Sequence, residues 1–115
     1  MAKYEIDLSL IFQALSDPTR RAMLAKLGKG AVPVTTLAKP TGLALPTVMR
    51  HLAVLEEAQL ISTRKTGRTR ICTPRPETLA ATSAWLAEQR EQWEARTDRL
   101  ENFLMTLKDD DDAPL

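Results

Sequence analysis

One cysteine, Cys72, and one histidine, His51, are all that 115 residues offer of the side chains that build disulfides and soft-metal sites. A single cysteine excludes an intramolecular disulfide. One His and one Cys on different elements cannot complete a tetrahedral metal set. Cys72 reads as a small apolar strand residue, and as a lone thiol it has no resolving partner for a redox cycle. No apolar run approaches the roughly 18 residues of a membrane span, and the opening MAKYEIDL lacks a signal-peptide core. A cytoplasmic protein without a membrane role is expected. There is no glycine-rich phosphate loop, no nucleophile–base pair and no carboxylate cluster on a framework, which argues against an enzyme and leaves no cofactor to expect. The flexible carboxylates of Asp109–Asp112 make a poor cation site. No repeat and no internal linker interrupts the chain.

What is present is an uneven charge. The 16 basic and 15 acidic residues nearly cancel, but they are not mixed. Residues 1–76 hold 12 Lys/Arg against 5 Asp/Glu, while residues 77–115 hold 4 against 10. A body of net +7 followed by a third of net −6 implies an anionic partner for the first part only.

The order of elements follows from apolar spacing and breakers. Ile6, Leu8, Leu10, Ile11, Phe12 and Leu15 give a short first helix with an apolar stripe. Asp17 is a good N-cap and Pro18 suits the first position of a second helix, which runs through Met23, Leu24 and Leu27 and stops at Gly28 and Gly30. Val34 to Lys39 form a brief third helix closed by Pro40 and Gly42, and Pro46 opens a fourth, from about Leu45 to Ala58. Ile61–Lys65 and Arg68–Thr73 are β-leaning and flank Thr66-Gly67, a connection that reads as a hairpin turn. From Glu77 to about Lys108 nothing breaks a long helix. The expected organisation is one domain over residues 1–108 and an acidic, disordered tail over 109–115.

Two short helices joined by a tight glycine-containing turn and followed by a basic hairpin make a nucleic-acid-reading layout. The fold class is therefore mainly α with a β-hairpin wing, a winged helix-turn-helix in the order ααααββα. At 100° per residue, Val48, Leu52 and Leu55 share the buried face of the fourth helix. Arg50 and Pro46 point nearly opposite, Thr47 and Val54 lie beside them, and Met49 and His51 fall on the flanks. The outward face is small and nearly uncharged, with one guanidinium suited to a guanine edge. Glu56 and Glu57 stand at the far end of the helix. In the hairpin, Arg64, Lys65, Arg68 and Arg70 place four cations in seven residues, a density that provides phosphate contacts without sequence reading. A solvated hairpin with charged edges is the plainer alternative.

The segments FQALSDPTRRAMLAKL and VTTLAKPTGLALPTVMRHLAVLEEAQLISTRKTGR resemble the ArsR/SmtB family of winged-helix repressors. The resemblance covers roughly residues 8–108, and PTVMRHLAVLEEAQLI with the basic wing carries most of it. WLAEQREQWEARTDRLENFL resembles the subgroup without metal motifs. The resemblance implies a cytoplasmic, nucleoid-associated repressor, often acting on its own promoter. It also implies double-stranded DNA with an imperfect palindromic operator as partner, read by Leu45, Pro46, Thr47, Met49, Arg50 and His51 with the wing Arg64, Lys65, Arg68 and Arg70. It further implies a homodimer paired through first and last helices, which places Leu8, Ile11 and Phe12 at the interface with residues of the last helix. Three positions depart from the family pattern. Ala44 replaces a frequent Ser N-cap, Gln59 stands where Gly is usual, and Met49 replaces a polar residue. Leu45 and Met49 are then free either to meet thymine methyl groups or to pack. The helix VTTLAK lacks the family's cysteines and the last helix has no His, so no metal response is expected; a small-molecule effector stays unknown. A winged-helix protein-interaction module without DNA binding is the other reading, for which the wing would have lost its basic charge.

The last helix carries its own pattern. Leu79, Leu86, Trp93, Leu100 and Leu107 recur every seven residues, the spacing of a helix-pairing seam. Ser83, Arg90, Thr97 and Leu104 at the +4 positions keep that seam narrow and partly polar. An amphipathic helix packing on its own domain is the competing explanation. Arg90–Glu94 is the one opposite-sign i,i+4 pair between residues 88 and 101, which leaves Arg96 and Arg99 to another helix or chain.

Overall fold

The structure, a computed structural model, describes residues 6–111. Two helices open it, α1 (Leu8–Leu15) and α2 (Pro18–Leu27), and each starts on an aspartate. Asp7 Oδ1 accepts from Leu10 N at 3.1 Å, and Asp17 Oδ2 accepts from Arg20 N at 3.0 Å. These bonds satisfy amides that the first turn cannot pair internally. The expected start and stop of α2 hold to the residue. A third helix, α3 (Val34–Ala38), runs into a 3₁₀ turn over Lys39–Thr41 that ends at Gly42. Gly42 has φ +67°, a left-handed conformation that only glycine adopts cheaply, and it turns the chain toward α4 (Leu45–Glu57).

Three strands form one antiparallel sheet in the order β1-β3-β2, with β1 (Val32–Pro33), β2 (Ile61–Thr66) and β3 (Thr69–Pro74). The two-residue β1 has too little pattern to be read from sequence; it pairs Val32 with Cys72 and Pro33 with Ile71. The hairpin turn is shifted by one residue from the expected Thr66-Gly67. Thr66 pairs with Thr69, so the loop is Gly67-Arg68 with Gly67 at φ +64°. Positive φ at the first loop residue is the type II′ arrangement, whose twist matches the strands. The mainly helical body with its three-stranded antiparallel wing sheet is a winged helix-turn-helix, with β1 added to the expected order.

The core joins every element up to β3. Ile11, Met23, Leu27, Leu37, Val48, Leu52, Leu55, Leu60, Ile61 and Cys72 are all fully buried. Cys72 sits on the central strand between Val32 and Thr63. Burial, helped by the Glu56 charge, pushes its thiol up, so it stays protonated as an apolar core residue. Ile11 corrects an expectation: its side chain is enclosed by this domain's own core and presents nothing to a partner chain.

The last helix, α5 (Pro76–Asp111), begins one residue before the expected Glu77 and ends beyond the expected Lys108. Residues 109–111, assigned to a disordered tail, are helical; the rest of that tail, 112–115, lies outside the described residues. The chain forms two compact units, one ending at Thr82 and the other beginning at Ser83. Side chains decide the boundary. Thr78 and Thr82 are the last buried residues, and from Ser83 to Asp109 every described side chain but Gln89 and Ala95 is exposed. Thr78 Oγ1 donates to Gln59 O at 2.5 Å and Thr82 Oγ1 to Thr78 O at 2.8 Å, which anchors the first turns of α5.

Candidate nucleic-acid interface

Helix α4 separates its faces as the 100° rotation requires. Val48, Leu52 and Leu55 are buried, Leu45, Pro46 and Arg50 are exposed, and Thr47, Met49, His51 and Val54 are half-buried. Ala44 provides no side-chain cap, and its carbonyl accepts from Thr47 N and Val48 N at 3.0 and 3.1 Å. Pro46 has no N–H to satisfy, so the helix starts without the missing hydroxyl. The two apolar residues separate in role: Met49 packs against the core, whereas Leu45 is 56% exposed and Leu43 before it 40%. His51 is held, with Nδ1 3.1 Å from Arg20 Nη1 and 4.0 Å from Asp17 Oδ2. The Asp17 carboxyl is held below its ordinary value, first by the Arg20 amide it accepts from and then by the charge of that arginine.

The wing cations differ in exposure. Arg64, Lys65 and Arg68 are exposed, with Arg68 in the turn. Lys65 pairs directly with Arg70 across the strands. Like charges placed opposite each other repel modestly, a cost set against the bonds that Arg70 makes within the domain. Arg70 is half-buried and donates from Nη1 to Thr63 Oγ1 at 3.1 Å. Thr63 in turn donates from N and Oγ1 to Glu56 Oε1, at 2.9 and 3.1 Å. Glu56 thus ties α4 to the wing. Of the ten residues expected to read DNA, α4 and the hairpin carry six and four, all in the first unit.

Sequence reasoning missed Arg20, Arg21 and Thr63. The arginines did leave a signal: cations in the first turn of a helix oppose its dipole, so two of them there require a specific partner. That partner is the end of α1. Arg20 donates to Ala14 O and Gln13 O and Arg21 to Leu15 O, satisfying carbonyls that the helix leaves unpaired. Thr63 left none, because its role depends on the register of β2 against α4.

Residues 15–64 match a family model described as a helix-turn-helix domain. The HTH-type transcriptional regulator Rv2034 of Mycobacterium tuberculosis is 40% identical over 70 residues, 61% of this chain. The transcriptional repressor SdpR of Bacillus subtilis is 34% identical over 58 residues, 50% of this chain. The chain spans just under two thirds of the length of these relatives, 65% and 64%. A crystal structure of an ArsR family transcriptional regulator, RHA00566, superposes with a TM-score of 0.73 at 52% identity, covering 76% of this chain and 96% of that one. The chain belongs to the ArsR family. The fold is shared further by Mb0332 of Mycobacterium bovis, a homodimeric winged helix-turn-helix DNA-binding domain (21% identity, TM-score 0.59, covering 76% of this chain and 82% of that one).

Membership gives the departures their meaning. Gln59, in the position usual for Gly in ArsR proteins, does adopt the left-handed conformation, at φ +63°. Its carbonyl is taken by Thr78 and its amide donates to Glu56 O at 2.9 Å, so surrounding bonds hold a strained residue in place. Among the described residues no group of three or more His, Cys, Asp or Glu is placed to hold a metal ion, and no helix is long and apolar enough to cross a membrane. Of the positions expected at a dimer contact, Leu8 is half-buried and Phe12, Leu86, Trp93, Leu100 and Leu107 are exposed. On α5 the exposed set also includes Leu79, Phe103, Leu104 and Met105, with Trp93 the most exposed at 70%. The expected Arg90–Glu94 pair forms, at 2.9 Å.

Proposed function

We propose that this ArsR-family chain is a sequence-specific DNA-binding transcription repressor that acts as a homodimer on a palindromic promoter site, its own included. The observation that carries the reading is the juxtaposition on α4 and the wing. Arg50 stands on a small exposed helix face, and Lys65 and Arg70 oppose each other on the adjoining hairpin. Leu45, Pro46, Thr47, Met49, Arg50 and His51 enter or flank the major groove, where Arg50 reads a guanine edge and Leu45 meets a thymine methyl. Arg64, Lys65, Arg68 and Arg70 neutralise phosphates. The exposed seam Leu86, Trp93, Leu100 and Leu107, with Leu8 and Phe12, pairs two chains and so brings two reading helices to successive major grooves. Repression follows from occluding polymerase, in the cytoplasm at the nucleoid. A repressor among the relatives and a homodimer among the structural neighbours support this reading. No cofactor, metal or catalytic step is assigned, and no effector.

Selection from a random duplex library tests the proposal. The recovered sequences should share a palindrome whose half-site centres are about 10 base pairs, or a multiple of that, apart. A pool with no common sequence after repeated rounds would refute it.

A further inference from the structure

Arg20 spends its guanidinium on two helices at once. Nε donates to Ala14 O at 2.8 Å and Nη2 to Gln13 O at 3.0 Å, both in the last turn of α1, while Nη1 lies 3.1 Å from His51 Nδ1 on α4. That third bond fixes a proton. Arginine carries only donors, so Nδ1 can only accept, and the hydrogen of the neutral ring resides on Nε2. A hydrogen on Nδ1 would point at the guanidinium, because Asp17 Oδ2, 4.0 Å from the same nitrogen, lies beyond hydrogen-bond reach. Capping α1 does not require this arm, because the Gln13, Ala14 and Leu15 carbonyls are all served by other nitrogens of Arg20 and Arg21. The arm specifies the tautomer of the His51 ring, which follows Arg50 on the flank of α4 and keeps 19% of its side-chain surface exposed.

We infer that Arg20 is a positioning residue for DNA recognition, acting through His51: it engages Nδ1 as an acceptor and turns Nε2–H outward, so that α4 presents a fixed donor to a backbone phosphate. The inference rests on the DNA-binding reading above. A phosphate oxygen only accepts, so the tautomer decides whether that edge of His51 binds it or repels it. A ring locked by a planar fork also loses little freedom on binding, which favours affinity.

His51 is the one histidine of the chain, so a single set of imidazole ¹⁵N signals reports on it. In the wild type these should show Nε2 protonated and Nδ1 bare. Arg20→Gln should give a mixture of tautomers and weaken binding to the in vitro selected duplex by roughly tenfold, the scale of one lost hydrogen bond at each half-site. Arg21→Gln removes the Leu15 cap without touching His51 and should change neither readout. Arg20→Gln combined with His51→Ala should bind no more weakly than His51→Ala alone, because the two act as a unit. Arg20→Lys, which keeps the charge and loses the fork, serves in its place should Gln prevent folding. A wild-type ring protonated on Nδ1, or a folded Arg20 variant with undiminished affinity, overturns the inference while leaving DNA binding intact. A wild-type protein that selects no sequence overturns both.

Discussion

Trp93 lies at the midpoint of the seven-residue series on α5 and is 70% exposed, the most exposed of the large apolar side chains on that helix. Trp93→Ala should therefore leave the chain folded and abolish its dimer. A tryptophan offers up to ~250 Å² of surface, so about 175 Å² awaits burial, worth roughly 4 kcal/mol per protomer at about 25 cal/mol per Å². Counting a single copy, the dimer dissociation constant should rise by about a thousandfold. A monomer keeps one reading helix and one wing, so it loses the second half-site and most of its DNA affinity. Leu107→Ala, at the far end of the seam and 45% exposed, removes less area and should do much less. Sedimentation equilibrium and DNA titration on the same samples give both readings, with far-UV circular dichroism to show that the helices persist. A Trp93→Ala protein that remains a tight dimer with full DNA affinity would refute the reasoning, and the seam would then serve another purpose.

Other expectations follow from single contacts. Gln59→Gly should raise stability by about 0.5–1 kcal/mol, the left-handed cost of a Cβ less the entropy of a more flexible unfolded chain; a lower melting temperature would show that no strain resides at φ +63°. Arg68→Ala and Arg70→Ala should each reduce the slope of log affinity against log salt by about 1. Only Arg70→Ala should also lower stability, by about 0.5–1.5 kcal/mol, since it alone releases Thr63; equal melting curves for the two would contradict the strut from Glu56. The depressed Asp17 carboxyl contributes stability that is present above its unfolded value and is lost as the pH falls through its lower folded one. Asp17→Asn should thus flatten the acid side of the stability profile below about pH 4, and denaturation curves that fall in parallel for both proteins would exclude that role.

The fold was legible because its punctuation is local. Asp17-Pro18 and Gly28 fix α2 through a cap, a proline ring and a break, and the 3.6 period of Val48, Leu52 and Leu55 fixes which side of α4 is buried. What stayed hidden depends on distant partners. β1 exists because Val32 finds Cys72, and the one-residue shift of the hairpin follows from pairing along six residues rather than from the turn alone. Ile11 shows the limit on a short helix: an apolar stripe says that a face is covered, and not whether by the same chain or by another. Of the candidate site, α4 and the wing were recoverable from periodicity and charge. The bonds that tie α4 to its neighbours, Glu56 to Thr63 of the wing and His51 to Arg20 of α2, span 7 and 31 residues and leave no periodic trace.

Arg50 tests the central claim most directly. It is the one cation on the exposed face of α4, and a guanidinium on guanine O6 and N7 discriminates by about 1–3 kcal/mol against another base. Binding of wild type and Arg50→Ala should be measured on the selected duplex and on every single-base variant of one half-site. The account predicts that Arg50→Ala loses discrimination at one position and keeps it at the others. A uniform loss of affinity, with every base preference unchanged, would mean that Arg50 grips the backbone and that α4 does not read sequence through it.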